Sequence, residues 1–364
     1  MKLFKASLLA AILSFGAPVA AQAPPITDRF TVNVANNQRG GCAYVGLDRL
    51  NRIFDDCVTL ADYGILAMDD YRNDARFEAR RLVSAFFKSD TIVRRNEIRD
   101  RFRRVRDWIL NGGPVDNGRN NRMPYLTCHH DWEEVQLMTD TARDMDGDSI
   151  RDENGLIMRI RDIDVYTEVQ RRLAQGRGVS VSEIFPYWSR LFNFYNFDIA
   201  YGANPGDGYC TPRRHLGRTQ LGDYPVVTLC PQAFRASSRT DSSWTYRPLH
   251  AVGVTTMPLD SLTENNRPDP SAHRLTRIEP EAATLFHELF HLVLGNGIGE
   301  TAPPDFPDEE YRLGGMLDLD YQNAVCNPET FAKVATAYDY TRNSDSVDGQ
   351  YIEFFAGFAT RGDT

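Results

Sequence analysis

Between Ala282 and Leu294 the chain sets two histidines and a glutamate, His287, Glu288 and His291, into a run otherwise built from Ala, Thr, Leu, Phe and Val. Glu279-Pro280-Glu281 just upstream places a proline in a first helical turn and acids where they complement the helix dipole, and Gly295-Asn296-Gly297 stops the run. A helix this apolar must be largely buried, and burying two imidazoles and a carboxylate without partners is costly. Residues four apart share a helix face, so His287 and His291 can point at one metal ion and satisfy each other's cost. Glu288 stands beside that face, within reach of a water on the metal without being a ligand.

Two histidines in this spacing with the intervening glutamate predict a zinc site for peptide-bond hydrolysis. Zinc lowers the pKa of a water to about 7, and Glu288 then takes its proton as the water attacks a carbonyl carbon. A catalytic zinc needs a third protein ligand. No histidine follows His291, so a ligand from beyond the helix must be a carboxylate within residues 300–311. Spacing alone leaves the choice open among the acids of that stretch, Glu300, Asp305, Asp308, Glu309 and Glu310. Asp308 stands three residues before Tyr311.

The chain opens with the basic stretch Met1-Lys2-Leu3-Phe4-Lys5, an apolar run from Ala6 to Phe15, and small residues at Ala20, Ala21 and Ala23. That order predicts a signal peptide over residues 1–21, too short in its apolar part for a membrane span, which needs about 20 residues. A secreted, extracellular chain of one domain over 22–364 is therefore expected. All six cysteines, Cys42, Cys57, Cys128, Cys210, Cys230 and Cys326, lie beyond that segment, and an even number in an exported chain predicts disulfides. The net charge of −9 argues against nucleic acid or an anionic membrane as partner. A protein or peptide substrate is expected, with the chain acting as a monomer.

Helical periodicity runs over residues 42–68, 74–87, 92–110 and 156–173. In the third, the Arg-rich stretch reads as a solvated face over inward Ile98, Phe102, Val105 and Ile109. Residues 224–230 read as a short strand, with Pro225 marking it as an edge. Asp144, Asp146, Asp148 and Asp152 alternate as in a calcium loop, but Ser149 and Gly155 stand where such a loop needs Gly and Glu. A solvated acidic turn is the expectation. His129 and His130 are adjacent, so their side chains point apart on an extended backbone and read as surface or cleft histidines.

On the quoted motif the chain resembles the aspzincin metallopeptidases, the deuterolysin-like family that includes lysine-specific fungal metallo-endopeptidases. Their pattern is His-Glu-x-x-His followed by Gly-Thr-x-Asp-x-x-Tyr-Gly, and Asp308-Glu309-Glu310-Tyr311 matches the Asp-x-x-Tyr core. Pro303-Pro304-Asp305-Phe306-Pro307 replaces the Gly-Thr lead, and Arg312 follows Tyr311 in place of Gly. The resemblance implies that Asp308 completes the zinc site with His287 and His291, and that Tyr311 hydrogen-bonds the developing oxyanion. Glu310, by contrast, stands where thermolysin-like and aminopeptidase-like enzymes carry a ligating glutamate. The family further implies an α+β, zincin-like fold, predominantly helical with a small sheet, and an extra segment around 135–200. The altered lead into Asp308 keeps a second expectation alongside: a secreted zinc-binding protein on the same fold without turnover.

Overall fold

The apolar stripes that periodicity marks become one helical core. The structure, a computed structural model, describes residues 21–35, 38–72, 76–202, 207–212, 215–234, 249, 256–258, 272–295, 309–343, 352–355 and 357–361. The signal-peptide run therefore lies outside the described residues, as do Asp305 and Asp308. Helix α1 (Leu47–Asp70) buries Leu50, Phe54, Val58, Ala61, Gly64 and Met68 at three- and four-residue steps. It lies against α3 (Ile92–Asn111), and Gly64 lets the two approach: a Cβ there would sit 2.2 Å from the Phe102 ring. In α3, Ile98, Phe102, Val105 and Ile109 turn inward as their spacing predicts, and the Thr91 hydroxyl caps the helix by accepting from Arg94 N at 3.3 Å. Its outward arginines pair with acids, as Arg99 does with Asp69 at 2.8 Å.

Two later helices complete this core. Helix α5 (Ala282–Leu294) sends Phe286 and Phe290 to Phe102, at centroid distances of 6.4 and 5.8 Å. Helix α8 (Pro328–Asn343) adds Phe331, 4.5 Å from Phe290 and 5.0 Å from Phe102. Shorter helices α2 (Phe77–Phe87), α6 (Leu313–Asp318) and α7 (Tyr321–Cys326) close its sides. Among the described residues no helix is long and apolar enough to cross a membrane.

The fold is mixed, with three small sheets among the described residues. The first is ordered β1 (Thr31–Val32), β2 (Tyr125–Thr127), β7 (Val226–Leu229) and β6 (Gly217–Gln220); the first three are parallel, and β6 runs antiparallel to β7. The edge expected at residues 224–230 is thus corrected. Strand β7 is internal, paired with β2 and β6, and among the described residues β1 and β6 are the edges. Pro225 precedes the ladder and contributes only its carbonyl, which accepts from Tyr125 N at 2.8 Å, so its missing N–H breaks no pair. The second sheet joins β8 (Met257–Pro258), β10 (Phe358–Arg361) and β9 (Ile352–Phe355).

The third sheet, β3 (Glu133–Val135), β4 (Ile184–Ser189) and β5 (Phe194–Ile199), stands with α4 (Asp164–Arg177) beside β6. Buried Asp198 on β5 accepts from Arg218 of β6 and from Arg177 of α4, while Gln220 of β6 donates to Glu133 at 2.9 Å. The helix expected over 156–173 is corrected to begin at Asp164. Residues 141–159 instead form three facing hairpin arms, closed by Ile150 N to Ala142 O, Met158 N to Ile150 O and Ala142 N to Met158 O at 2.9, 2.9 and 3.0 Å. Asp144 accepts from the N–H groups of Asp146 and Asp148, and Asp152 from those of Asn154 and Leu156. These local side-chain bonds outcompete the helix there.

Cysteine pairing is also partial. Cys42–Cys128 ties the entry of α1 to the end of β2, and Cys210–Cys230 ties a loop to the end of β7. The expected disulfides are thus present as two pairs, and Cys57 and Cys326, both buried, lie outside any disulfide. Burial pushes both thiols up, out of the reactive range.

Candidate metal centre

Helix α5 presents two faces. Leu285, Phe286, Leu289 and Phe290 enter the core, and His287, Glu288 and His291 face the sheet side and the segment after residue 308. Both ends of the helix are anchored. Buried Glu281, just before it, pairs with Arg49 and Arg52 of α1; at the other end the Leu292 and Val293 carbonyls accept from Asp116 N and Asn117 N at 2.7 and 2.9 Å. That anchoring holds His287 and Glu288 in place at 5% and 4% exposure.

The two imidazoles converge. Their centroids are 5.2 Å apart, and one carboxylate spans them: Glu309 Oε2 lies 3.0 Å from His287 Nε2, and Glu309 Oε1 lies 2.5 Å from His291 Nε2. Ligand atoms of His287, His291 and Glu309 all fall within 4.8 Å of one another, so this group can hold a metal ion. Two imidazole nitrogens and a carboxylate oxygen match the borderline donors of a three-ligand site with one position left open.

The surrounding charges follow from this crowding. Burial pulls the His287 imidazolium down, but the Glu309 carboxylate, aided by Glu329, outweighs it and holds the ring well above its ordinary value. Burial likewise pushes Glu309 up, and the two histidines overcome it, leaving that carboxyl far below the usual range. A cation bound here would displace a proton from His287. Glu288 is raised by burial, against the pull of His287 and His291. Its Oε2 accepts from the Thr219 hydroxyl of β6 at 2.8 Å. Gly217 gives Glu288 room, since a Cβ there would lie 2.8 Å from Oε1.

Of the residues marked by sequence, His287, Glu288, His291 and Tyr311 come together. The Tyr311 ring stacks on His287 at 5.7 Å, its hydroxyl donates to Glu309 Oε2 at 2.5 Å, and the residue is 58% exposed. Glu310 turns away to Arg312, accepting from its backbone N at 2.7 Å. Glu309 lies in the stretch expected to supply the third ligand, between the two acids that family resemblances favour, and nothing in the spacing distinguishes it. Thr219 and Glu329 were equally silent: each reaches the motif from another element.

Comparison with family models, with curated proteins and with solved structures finds no match to this chain.

Proposed function

We propose that the chain is an exported zinc-dependent endopeptidase of zincin-like fold, related in motif to the aspzincins. The reading is carried by one observation: His287, His291 and Glu309 converge on a single point, with buried Glu288 beside it and held from behind by Thr219. Glu309 takes the place that the family resemblance gives to Asp308. The two disulfides fit an oxidising compartment.

Bound zinc supplies Lewis acidity at this corner, polarising the scissile carbonyl and acidifying water. The protein's own groups do the rest. Glu288 takes the proton of the attacking water on Oε1, since Oε2 is engaged by Thr219, and then passes it to the leaving amine. Tyr311, exposed and next to Glu309, turns its hydroxyl to the developing oxyanion. Substrate backbone aligns on β6. Cys230 N donates to Leu216 O at 2.7 Å, which makes that pair a bonded one, so the alternate residues Gly217 and Thr219 direct their backbone groups away from β7, and the Gly217 carbonyl exchanges its bond from the Tyr209 hydroxyl for one from substrate.

Cleavage of a mixed peptide library, abolished by a chelator and restored by zinc, is the expected result. Bound zinc without any cleavage would replace this reading with the zinc-binding protein that lacks turnover. Gly217→Ala is a sharper probe of geometry. Its Cβ would lie 2.8 Å from Glu288 Oε1 and 2.9 Å from Thr284 Cγ2, so both side chains must shift. A fall in kcat of about 10–100-fold with zinc retained is expected; unchanged kcat would remove Glu288 from the reaction.

A further inference from the structure

Behind His287, away from Glu309, lies a set of charged groups that peptide hydrolysis as proposed does not use. His287 Nδ1 and Glu329 Oε2 are 3.0 Å apart. The other oxygen of Glu329 accepts from Lys333 Nζ, and Lys333 also donates to Glu279. Glu329 and Lys333 stand one turn apart on α8, and Glu279 lies just ahead of α5. Lys333 is 2% exposed, and the two glutamate side chains are 13% and 15% exposed. Taking these charges out of water is expensive, and apolar residues of like volume would commonly serve stability as well. One ammonium facing two carboxylates leaves an acceptor in excess, and that acceptor points at His287. His291 has no such support: its Nδ1 makes no hydrogen bond among the described residues.

We propose that Glu279, Lys333 and Glu329 form a positioning chain that holds His287 as its Nδ1–H tautomer and so aims the Nε2 lone pair at the metal. A carboxylate behind a ligating imidazole fixes the ring's orientation and raises its basicity as a donor. Lys333, held between Glu329 and Glu279, keeps the Glu329 carboxylate turned toward the ring. The inference rests on the metal-centre part of the reading above and not on hydrolysis.

The test uses the full chain with 15N-labelled histidine, zinc affinity by chelator competition, and nitrogen shifts of the zinc-loaded protein. Glu329→Leu leaves Lys333 and Glu279 as a matched pair while removing the acceptor. It is expected to weaken zinc binding about 10–100-fold and to shift the His287 Nδ1 resonance, with His291 unmoved. Glu279→Gln should cost a smaller factor, about threefold, because Lys333 then draws on Glu329 alone. Should Glu329→Leu fail to fold, Glu329→Gln is read the same way, with a loss of about tenfold. A purely structural cluster would lower the melting temperature and leave affinity and the His287 resonance where they were. That outcome, in a wild type that binds zinc, overturns the chain's role alone. A wild type that binds no zinc overturns the metal centre and this role together.

Discussion

Replacing Glu288 with Gln is expected to leave zinc bound and to slow peptide cleavage by about 10²–10⁴-fold. The substitution preserves volume, and the amide oxygen can still accept from Thr219, whose hydroxyl now lies 2.8 Å from Oε2. Packing around α5 should therefore persist. What disappears is the carboxylate oxygen beside the metal-ligand group that is left to take a proton. Because burial already raises the Glu288 carboxyl above its ordinary value, the wild-type residue is better suited to hold a proton between the two halves of the reaction than an exposed glutamate is. Single-turnover cleavage of a peptide, with zinc content measured on the same sample, reads the result. Full-rate cleavage by Glu288→Gln would sink the mechanism, whatever the metal content.

The second large effect concerns the third ligand. Glu309→Ala removes the one described carboxylate that touches both His287 and His291, at 3.0 and 2.5 Å. Zinc affinity should fall by more than about 100-fold, beyond what loss of a supporting outer partner costs. Asp308→Ala is expected to stay within a fewfold of wild type. Isothermal titration of both variants, with Glu310→Ala as a third, separates the alternatives. The reverse order, with Asp308→Ala crippled and Glu309→Ala intact, would return the ligand to the position implied by the aspzincin pattern. Glu310→Ala should be neutral, since that side chain is engaged with Arg312.

Much of the helical framework was legible before any coordinates. The inward positions of α3 and the extent of α5 follow from spacing, because a helix can bury one stripe only at steps of three and four. The strand at Val226–Leu229 was legible as a strand, but its place was not. A proline at its entrance is equally compatible with an edge and with an internal strand whose first bonded residue comes one later. Residues 156–163 misled periodicity for another reason. Leu156 and Ile157 have helical spacing with later apolar residues, yet Asp152 binds the Leu156 N–H and turns the chain into a hairpin arm. The cysteine count indicated disulfides but not which residues form them: Cys57 sits within α1, its Sγ 3.7 Å from the Ala282 carbonyl, and is spent on packing.

What the sequence determined by itself is the half of the metal centre that one helix can build. His287, Glu288 and His291 are bound together by a repeat of 3.6 residues per turn, and no tertiary contact is needed to put two rings on one face. Everything that approaches that helix from elsewhere was decided by the tertiary structure. Glu309 comes from the segment that begins at residue 309, Thr219 from the edge of a sheet, and Glu329 with Lys333 from α8. Such meetings depend on how elements pack, a sum over many weak contacts that no local spacing encodes.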